Sequence, residues 1–248
     1  MNYDVDYACL TNVGKIKLVN EDSVCISRNK SGDVLIVVSD GIGGRKMGEY
    51  ASKIITDFFL NSFVKKKSFF SIFTAKYWLR KKIKEINKII FRTSKESKIY
   101  NGAGATIVAA LIRKNRIIIM NAGDSRAYLF DVKDKLLKLL SKDHTYLSIL
   151  KEKEEADESG YQNIILNSIG VYSNVEIYCK TVKASSFYLL LCSDGLTKNV
   201  KEDEIVSVLR NSHREVSASE IVNELIERAN KNGGNDNITV ACFIRNQN

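Results

Sequence analysis

Two aspartates close apolar runs in the same way. Val34-Leu-Ile-Val-Val38 leads into Ser39-Asp40-Gly41, and Tyr188-Leu-Leu-Leu-Cys192 leads into Ser193-Asp194-Gly195. Three more lie at comparable edges: Asp236 in Gly233-Gly-Asn-Asp-Asn237, just ahead of Ile238-Thr-Val-Ala-Cys242, Asp124 in Ala122-Gly123-Asp124-Ser125, and Asp22 in Asn20-Glu21-Asp22. A carboxylate at the mouth of a buried strand is costly unless water or a cation compensates it, and the glycine that follows lets a backbone carbonyl approach a ligand closely. Five carboxylates without nearby histidines or thiolates make an oxygen-only site, suited to Mg²⁺ or Mn²⁺ and not to zinc. Two hard cations sharing a carboxylate can hold and deprotonate a water, then clamp a phosphoryl group for in-line attack. A single aspartate in such a place more often makes a turn or caps a helix. The repeated strand-Ser-Asp-Gly pattern, joined by Gly-Gly-x-Asp-Asn, argues for one shared site.

Other chemistries lack their residues. The sequence holds no phosphate-binding G-x-x-x-x-G-K-[ST] and no G-x-S-x-G nucleophile elbow. His144 and His213 are its only histidines, and Gly41-Ile-Gly43-Gly44 fails the dinucleotide pattern because Lys46 stands where the last glycine is needed. Cys9, Cys25, Cys179, Cys192 and Cys242 are odd in number and show no C-x-x-C spacing, which fits reduced thiols and not a disulfide framework.

The elements that must position the aspartates are visible in outline. Strand-like runs occur at Val34–Val38, Thr106–Ile112, Arg116–Asn121, Arg126–Phe130, Phe187–Cys192 and Ile238–Phe243. The turn Ala122-Gly123-Asp124-Ser125 between two of them predicts a hairpin. Helical periodicity covers 47–62, 74–95, 202–210 and 218–231, the last with Ser217 and Glu220 spaced as a capping box and Gly233-Gly234 as a stop. Strands cluster between helices without regular alternation, which predicts an α+β fold over a doubly wound sheet. With no linker or repeat, the 248 residues are expected to form a single domain, 1–248. No apolar run reaches roughly 18 residues, so no membrane span is expected. The start, Met1-Asn2-Tyr3-Asp4, lacks the basic and apolar character of a signal peptide, so a cytoplasmic location is expected.

The formal net charge of +9 is unevenly spread. Residues 61–100 hold twelve Lys and Arg against Glu85 and Glu96, a local balance of +10 that leaves −1 for the rest of the chain. Ala75, Trp78, Leu79, Ile83, Ile86 and Ile90 form one apolar stripe through this stretch at three- and four-residue steps. The plain reading is a helix packed by that stripe with its lysines in water. The sharper one is a docking surface for an acidic partner, nucleic acid or an anionic membrane face. No nucleic-acid signature accompanies the charge, so nucleic acid is disfavoured.

Seven segments in order, Asn20-Glu21-Asp22, Val38–Gly44, Gly104-Ala105-Thr106, Gly123–Tyr128, Asp143-His144, Leu191–Thr197 and Gly234–Val240, resemble the metal-dependent Ser/Thr protein phosphatases of the protein phosphatase 2C type in their compact bacterial form. The resemblance implies a four-layer α-β-β-α sandwich, two antiparallel sheets flanked by helices, with two Mn²⁺ or Mg²⁺ ions at one end. It implies that Asp40 bridges the ions and that the Gly41 carbonyl ligates one of them. Asp194 and Asp236 would complete that shell, Asp22 would hold coordinated water, and Asp124 matches a third, weaker metal position. Substrates would be phosphoserine and phosphothreonine in proteins, set there by a partner Ser/Thr kinase, and a monomer is expected. The alternative is a catalytically weak or inactive relative that docks partners through the basic 61–100 segment.

The sequence departs from the family pattern at one place. Lys17, in Gly14-Lys15-Ile16-Lys17, stands where the family has an arginine that grips the substrate phosphate. Lysine keeps the charge and loses the planar fork that binds two oxygens at once, which predicts a weaker grip and a raised KM, with Arg45 as a possible compensation. Ile42 stands where eukaryotic members carry a histidine, a candidate proton donor, and where bacterial members, like this chain, have an apolar residue. The stretch between His144 and Asn167 matches the family's flap, and its charged run Lys151–Glu158 is expected to influence substrate choice.

Overall fold

The computed structural model describes residues 3–44, 46–97, 99–152, 164–211 and 216–247. The strands are β1 (Tyr3–Asn12), β2 (Asp22–Arg28), β3 (Val34–Ile42), β4 (Gly104–Ala105), β5 (Ile107–Arg113), β6 (Arg116–Ala122), β7 (Arg126–Asp131), β8 (Leu136–Leu139), β9 (Tyr178–Lys183), β10 (Phe187–Cys192) and β11 (Ile238–Gln247). The helices are α1 (Lys46–Val64), α2 (Ile72–Glu96), α3 (Tyr146–Glu152), α4 (Asp194–Thr197), α5 (Glu202–Asn211) and α6 (Ala218–Lys231). One antiparallel sheet has the order β1-β11-β10-β7-β8 and the other β2-β3-β5-β6-β9, with β4 beside β3.

The interior strands read as continuous apolar runs because both of their faces are covered. In β3, Val34, Ile36 and Val38 meet the other sheet through Ala127, Leu189, Leu191 and Phe243. Leu35 and Val37, one step out of phase, pack under α1 and α2 against Ile55, Phe59, Leu79 and Ile83. In β10, Leu189 and Leu191 point inward while Tyr188, Leu190 and Cys192 lie under α5 and α6 with Ile205, Ile221 and Leu225. The period-two alternation therefore sorts side chains between two apolar layers and not between core and water. The result is the four-layer sandwich expected from the resemblance.

The helices follow their sequence signals. Ser217 accepts from the Glu220 amide while the Glu220 carboxylate accepts from the Ser217 amide, the predicted capping box of α6. Ser71 and Thr74 make a reciprocal box at the start of α2. Ala75, Leu79, Ile83, Ile86 and Ile90 are fully buried, and Trp78 packs at the edge of the same cluster. Among the described residues, no helix is long and apolar enough to cross a membrane.

One prediction fails. The turn at 122–125 does not close a hairpin, because β6 lies in the sheet with β5 and β9 while β7 pairs with β10 and β8. The segment crosses from one sheet to the other, and Gly123, at φ 108°, makes the change of direction against Thr106. Neighbouring strands in sequence usually pair, and here the crossing carries Asp124 to the mouth of the sandwich. Most of the charged run Lys151–Glu158 lies outside the described residues, as does Arg45.

Candidate active site

Two buried serines set the aspartates in place. Ser39 Oγ donates to the Thr106 carbonyl at 2.7 Å, and the Asp40 amide donates to Thr106 Oγ1 at 3.0 Å, fixing the end of β3 to the strand beside it. Thr106 Oγ1 lies 2.7 Å from Ser125 Oγ, which ties in the crossing segment that holds Asp124. Ser193 accepts from the Thr239 amide at 3.0 Å and donates to Asp22 Oδ2 at 2.6 Å, joining the end of one sheet to the first residue of β2 in the other. Asp22 and Asp40 are direct cross-strand partners. The sequence signal pointed to Asp and Gly of each Ser-Asp-Gly; the serine is the residue that aims the site.

Both glycines are demanded by close backbone approach. A Cβ on Gly41 would lie 2.6 Å from Gly48 Cα and overlap its carbonyl, since the first turn of α1 rests directly on the end of β3. A Cβ on Gly195 would fall on the Asn237 carbonyl. Asn237 in turn holds the 13–21 loop, accepting from the Glu21 amide at 2.9 Å and donating to the Val13 and Val19 carbonyls at 2.9 and 3.0 Å. That loop presents Lys17, whose Nζ is 2.9 Å from Asp236 Oδ1.

Asp22, Asp40, Asp124, Asp194 and Asp236 thus share one end of the sandwich and feel one another's charge. Burial raises the Asp40 carboxyl well above its ordinary range, with Asp22, Asp194 and Asp124 adding repulsion. Burial likewise pushes Asp22 up to about 7, opposed by hydroxyl hydrogen bonds from Ser193 and Thr239 and reinforced by Asp194 and Asp236. Asp124 is pushed up to about 7 by burial and then by Asp194. Asp236 goes the other way: burial raises it, but the Lys17 hydrogen bond and the Lys198 charge outweigh that.

Lys198, which no sequence pattern singled out, is the second cation. Its Nζ lies 2.6 Å from Asp194 Oδ2 and 3.1 Å from Asp236 Oδ2. Burial lowers its proton affinity, and the two carboxylates more than restore it. A spacing signal did exist, since Lys198 stands four residues after Asp194 on the same short helical turn. Beyond it, a cavity of about 140 Å³ is lined by Asp124, Asp194, Lys198, Arg126 and Thr145 among others. Arg126 makes a two-pronged contact with Asp143, at 2.6 and 3.1 Å, on its wall.

Three carboxylate oxygens of this group, Asp22 Oδ1, Asp124 Oδ1 and Asp194 Oδ1, are buried without a hydrogen-bond partner, as is Glu21 Oε1. An all-oxygen set with orphaned acceptors suits a hard divalent cation. Among the described residues, no three acidic, histidine or cysteine side chains close on one ion-sized point; Asp194 and Asp236 are turned toward Lys198 instead. Cys192, two residues before Asp194, is no thiolate: burial pushes it up to about 12, so it stays protonated at neutral pH. His144 Nδ1 lies 3.2 Å from both the amide nitrogen and the carbonyl oxygen of Gly123.

Known proteins match this chain over nearly its whole length. A family model described as protein phosphatase 2C matches residues 15–236. The serine/threonine phosphatase stp of Listeria welshimeri is 35% identical over 242 residues, 95% of this chain and 94% of that protein. Protein phosphatase PhpP of Streptococcus pneumoniae is 30% identical, covering 98% of each chain. The crystal structure of the serine/threonine phosphatase Stp1 from Staphylococcus aureus superposes with a TM-score of 0.90 at 30% identity, covering 98% of this chain and 96% of that one.

The lysine between the carboxylates and the raised aspartates each generate a prediction. Lys198→Met removes a cation that competes for Asp194 and Asp236, so the Kd for Mn²⁺ measured by titration calorimetry should tighten by about tenfold. The chelated variant should also melt below wild type. A weaker Kd would show that Lys198 supports metal binding.

The second prediction concerns pH. Asp22 and Asp124 have folded values near 7 against an unfolded value near 3.9, so their contribution to stability is present in acid and lost as pH rises through about 7. In chelator, stability should therefore rise as pH falls from about 8 to about 6, by on the order of 1 kcal/mol per group. Asp124→Asn should flatten the slope. Stability that falls over this range would mean that the two carboxylates do not hold protons in the folded state.

Proposed function

We infer the reaction from one premise: this chain belongs to the protein phosphatase 2C family. It is a serine/threonine protein phosphatase, a metal-dependent hydrolase. The reading developed from that premise assigns roles residue by residue. Asp40 is proposed to bridge two Mn²⁺ or Mg²⁺ ions, with the Gly41 carbonyl, Asp194 and Asp236 as further ligands of one of them. Asp22 is proposed to hold coordinated water, and Asp124 to contribute to a third, weaker position. Such ions, when bound, lower the pKa of a ligated water and neutralise charge on the phosphoryl group.

The chain's own side chains do the positioning. Ser193 and Ser39 hold Asp22 and the Asp40 backbone in line, and Asn237 holds the loop that presents Lys17 to the substrate phosphate. Lys17 is 42% exposed, so its ammonium can exchange Asp236 for a phosphate oxygen at small desolvation cost. The observation that carries the reading is the set of buried, unpartnered carboxylate oxygens at one mouth of the sandwich. Proteins bearing phosphoserine and phosphothreonine are the substrates. The chain is proposed to act as a monomeric catalytic domain spanning 1–248, in the cytoplasm, reversing the work of a Ser/Thr kinase. The binding-module alternative is not favoured, because the relatives are named as phosphatases and all five aspartates are present.

Phosphate release from a phosphothreonine peptide tests this directly. Wild type should require Mn²⁺ and fall silent in chelator, and Asp194→Asn should lose at least about 100-fold in kcat/KM. Mn²⁺-independent release would refute the metal assignment. Lys17→Arg should lower KM by about threefold to tenfold with little change in kcat, through two-point binding of the phosphate. An unchanged kcat/KM would remove Lys17 from the phosphate-binding role.

A further inference from the structure

The basic segment 61–100 resolves into two opposite faces of α2. Its buried face is the Ala75, Leu79, Ile83, Ile86 and Ile90 stripe. At about 100° per residue, Phe73, Tyr77, Arg80, Lys81, Lys84 and Lys88 fall within a single sector on the other side. Tyr77, Arg80, Lys81, Lys84, Glu85 and Lys88 line a shallow surface cavity of about 440 Å³. Glu85 is held by Lys82 at 2.6 Å, which leaves the sector strongly cationic.

The aromatic residues are not spread along this sector; they gather at the amino-terminal end of α2. Phe70 is 96% exposed, Phe73 79% and Tyr77 69%, and Val64, 55% exposed, ends the preceding helix. Rings this exposed cost free energy in water, and a group of them marks an interaction surface. Lys65, Lys66 and Lys67 precede the group, Lys76 lies within it, and Arg80, Lys81, Lys84 and Lys88 follow it. An apolar tip thus stands next to a cationic stretch on the exposed ridge of α2.

We propose that this ridge docks the phosphatase peripherally on an anionic phospholipid bilayer, with Phe70, Phe73 and Tyr77 entering the headgroup boundary and the surrounding lysines and arginine facing lipid phosphates. Aromatic rings settle at that boundary and long cationic side chains reach past them to the headgroups. A single-stranded nucleic acid would call for rings alternating with cations along a groove, and an acidic peptide would leave the three rings in water.

The geometry keeps the active site free. Arg113, at the far end of β5, donates through its guanidinium to the Phe69 carbonyl, while the start of β5 adjoins Thr106 and Asp40. The seven residues of β5 separate the aromatic tip from the aspartates by about 20 Å. Docking through the aromatic tip therefore leaves the aspartates clear of the contact by the length of β5.

Sedimentation with vesicles tests the proposal. The full chain should pellet with phosphatidylcholine–phosphatidylglycerol vesicles, stay in solution with pure phosphatidylcholine, and be released by high salt. Phe70→Ser/Phe73→Ser and Lys81→Glu/Lys84→Glu should each weaken vesicle binding by at least about tenfold. Both variants alter exposed side chains, so peptide dephosphorylation in solution should equal wild type and stand as a separate readout. Wild type that stays in the supernatant overturns the proposal, as does binding untouched by either double variant. Preferential binding to a single-stranded oligonucleotide or to polyglutamate would assign the ridge to a different partner and equally overturn it.

Discussion

Five aspartates crowded into the end of an otherwise apolar sandwich repel one another, and the local structure is arranged around that repulsion. Ser193 bridges the two sheets to hold Asp22, and Thr106 fixes both Asp40 and the crossing segment that carries Asp124. Without such anchors the carboxylates would turn outward to water, the cheaper state for each of them alone. The raised proton affinities of Asp22, Asp40 and Asp124 follow from the fold's holding them buried and close together. A divalent cation resolves the conflict best; Lys17 and Lys198 resolve part of it from within the chain.

Acidic and basic charge gather on different parts of the molecule. The aspartates lie at one end of the sandwich, and the long helix α2, which starts near the opposite end of β5 and runs back along the sheet, holds most of the chain's surplus positive charge. This separation orients the protein in any field before contact is made, and a phosphorylated substrate and an anionic surface would meet different regions of it. Lys17 and Lys198 matter more in this setting than their number suggests, because they supply the positive charge placed directly against the acidic mouth.

How much of this was legible in the sequence depended on burial. The six runs evident as strands, β3, β5, β6, β7, β10 and β11, are the interior strands of the two sheets, covered on both faces and so apolar over most of their length. The four longer strands that were not evident, β1, β2, β8 and β9, are the edges. An edge has half-exposed positions and charges such as Lys138, Lys180 and Lys183, which blunt further pairing and at the same time erase the apolar signal. The hairpin at 122–125 was misjudged for a related reason: turn chemistry reports that the chain reverses, not which sheet it reverses into. In the site, the aspartates and glycines were legible because their pattern repeats. Lys198 was not, since a lysine after a short helical turn is ordinary until the fold brings Asp236 to it. Ser39 and Ser193 stood in plain view beside the aspartates, and only the three-dimensional contacts show what they do.

The pairing of β1 with β11 has a consequence for how the enzyme comes into being. These strands align over their whole length, from Tyr3 opposite Gln247 to Asn12 opposite Ile238, and β11 is the interior strand that links β1 to β10. Asp22 is made early and Asp236 late. On a ribosome adding about 5–20 residues per second, the first strand waits on the order of tens of seconds for its neighbour. Throughout that interval one sheet is incomplete and the acidic mouth lacks a member. The sheet and the acidic mouth are thus completed in one step, when β11 has been made and has paired with β1.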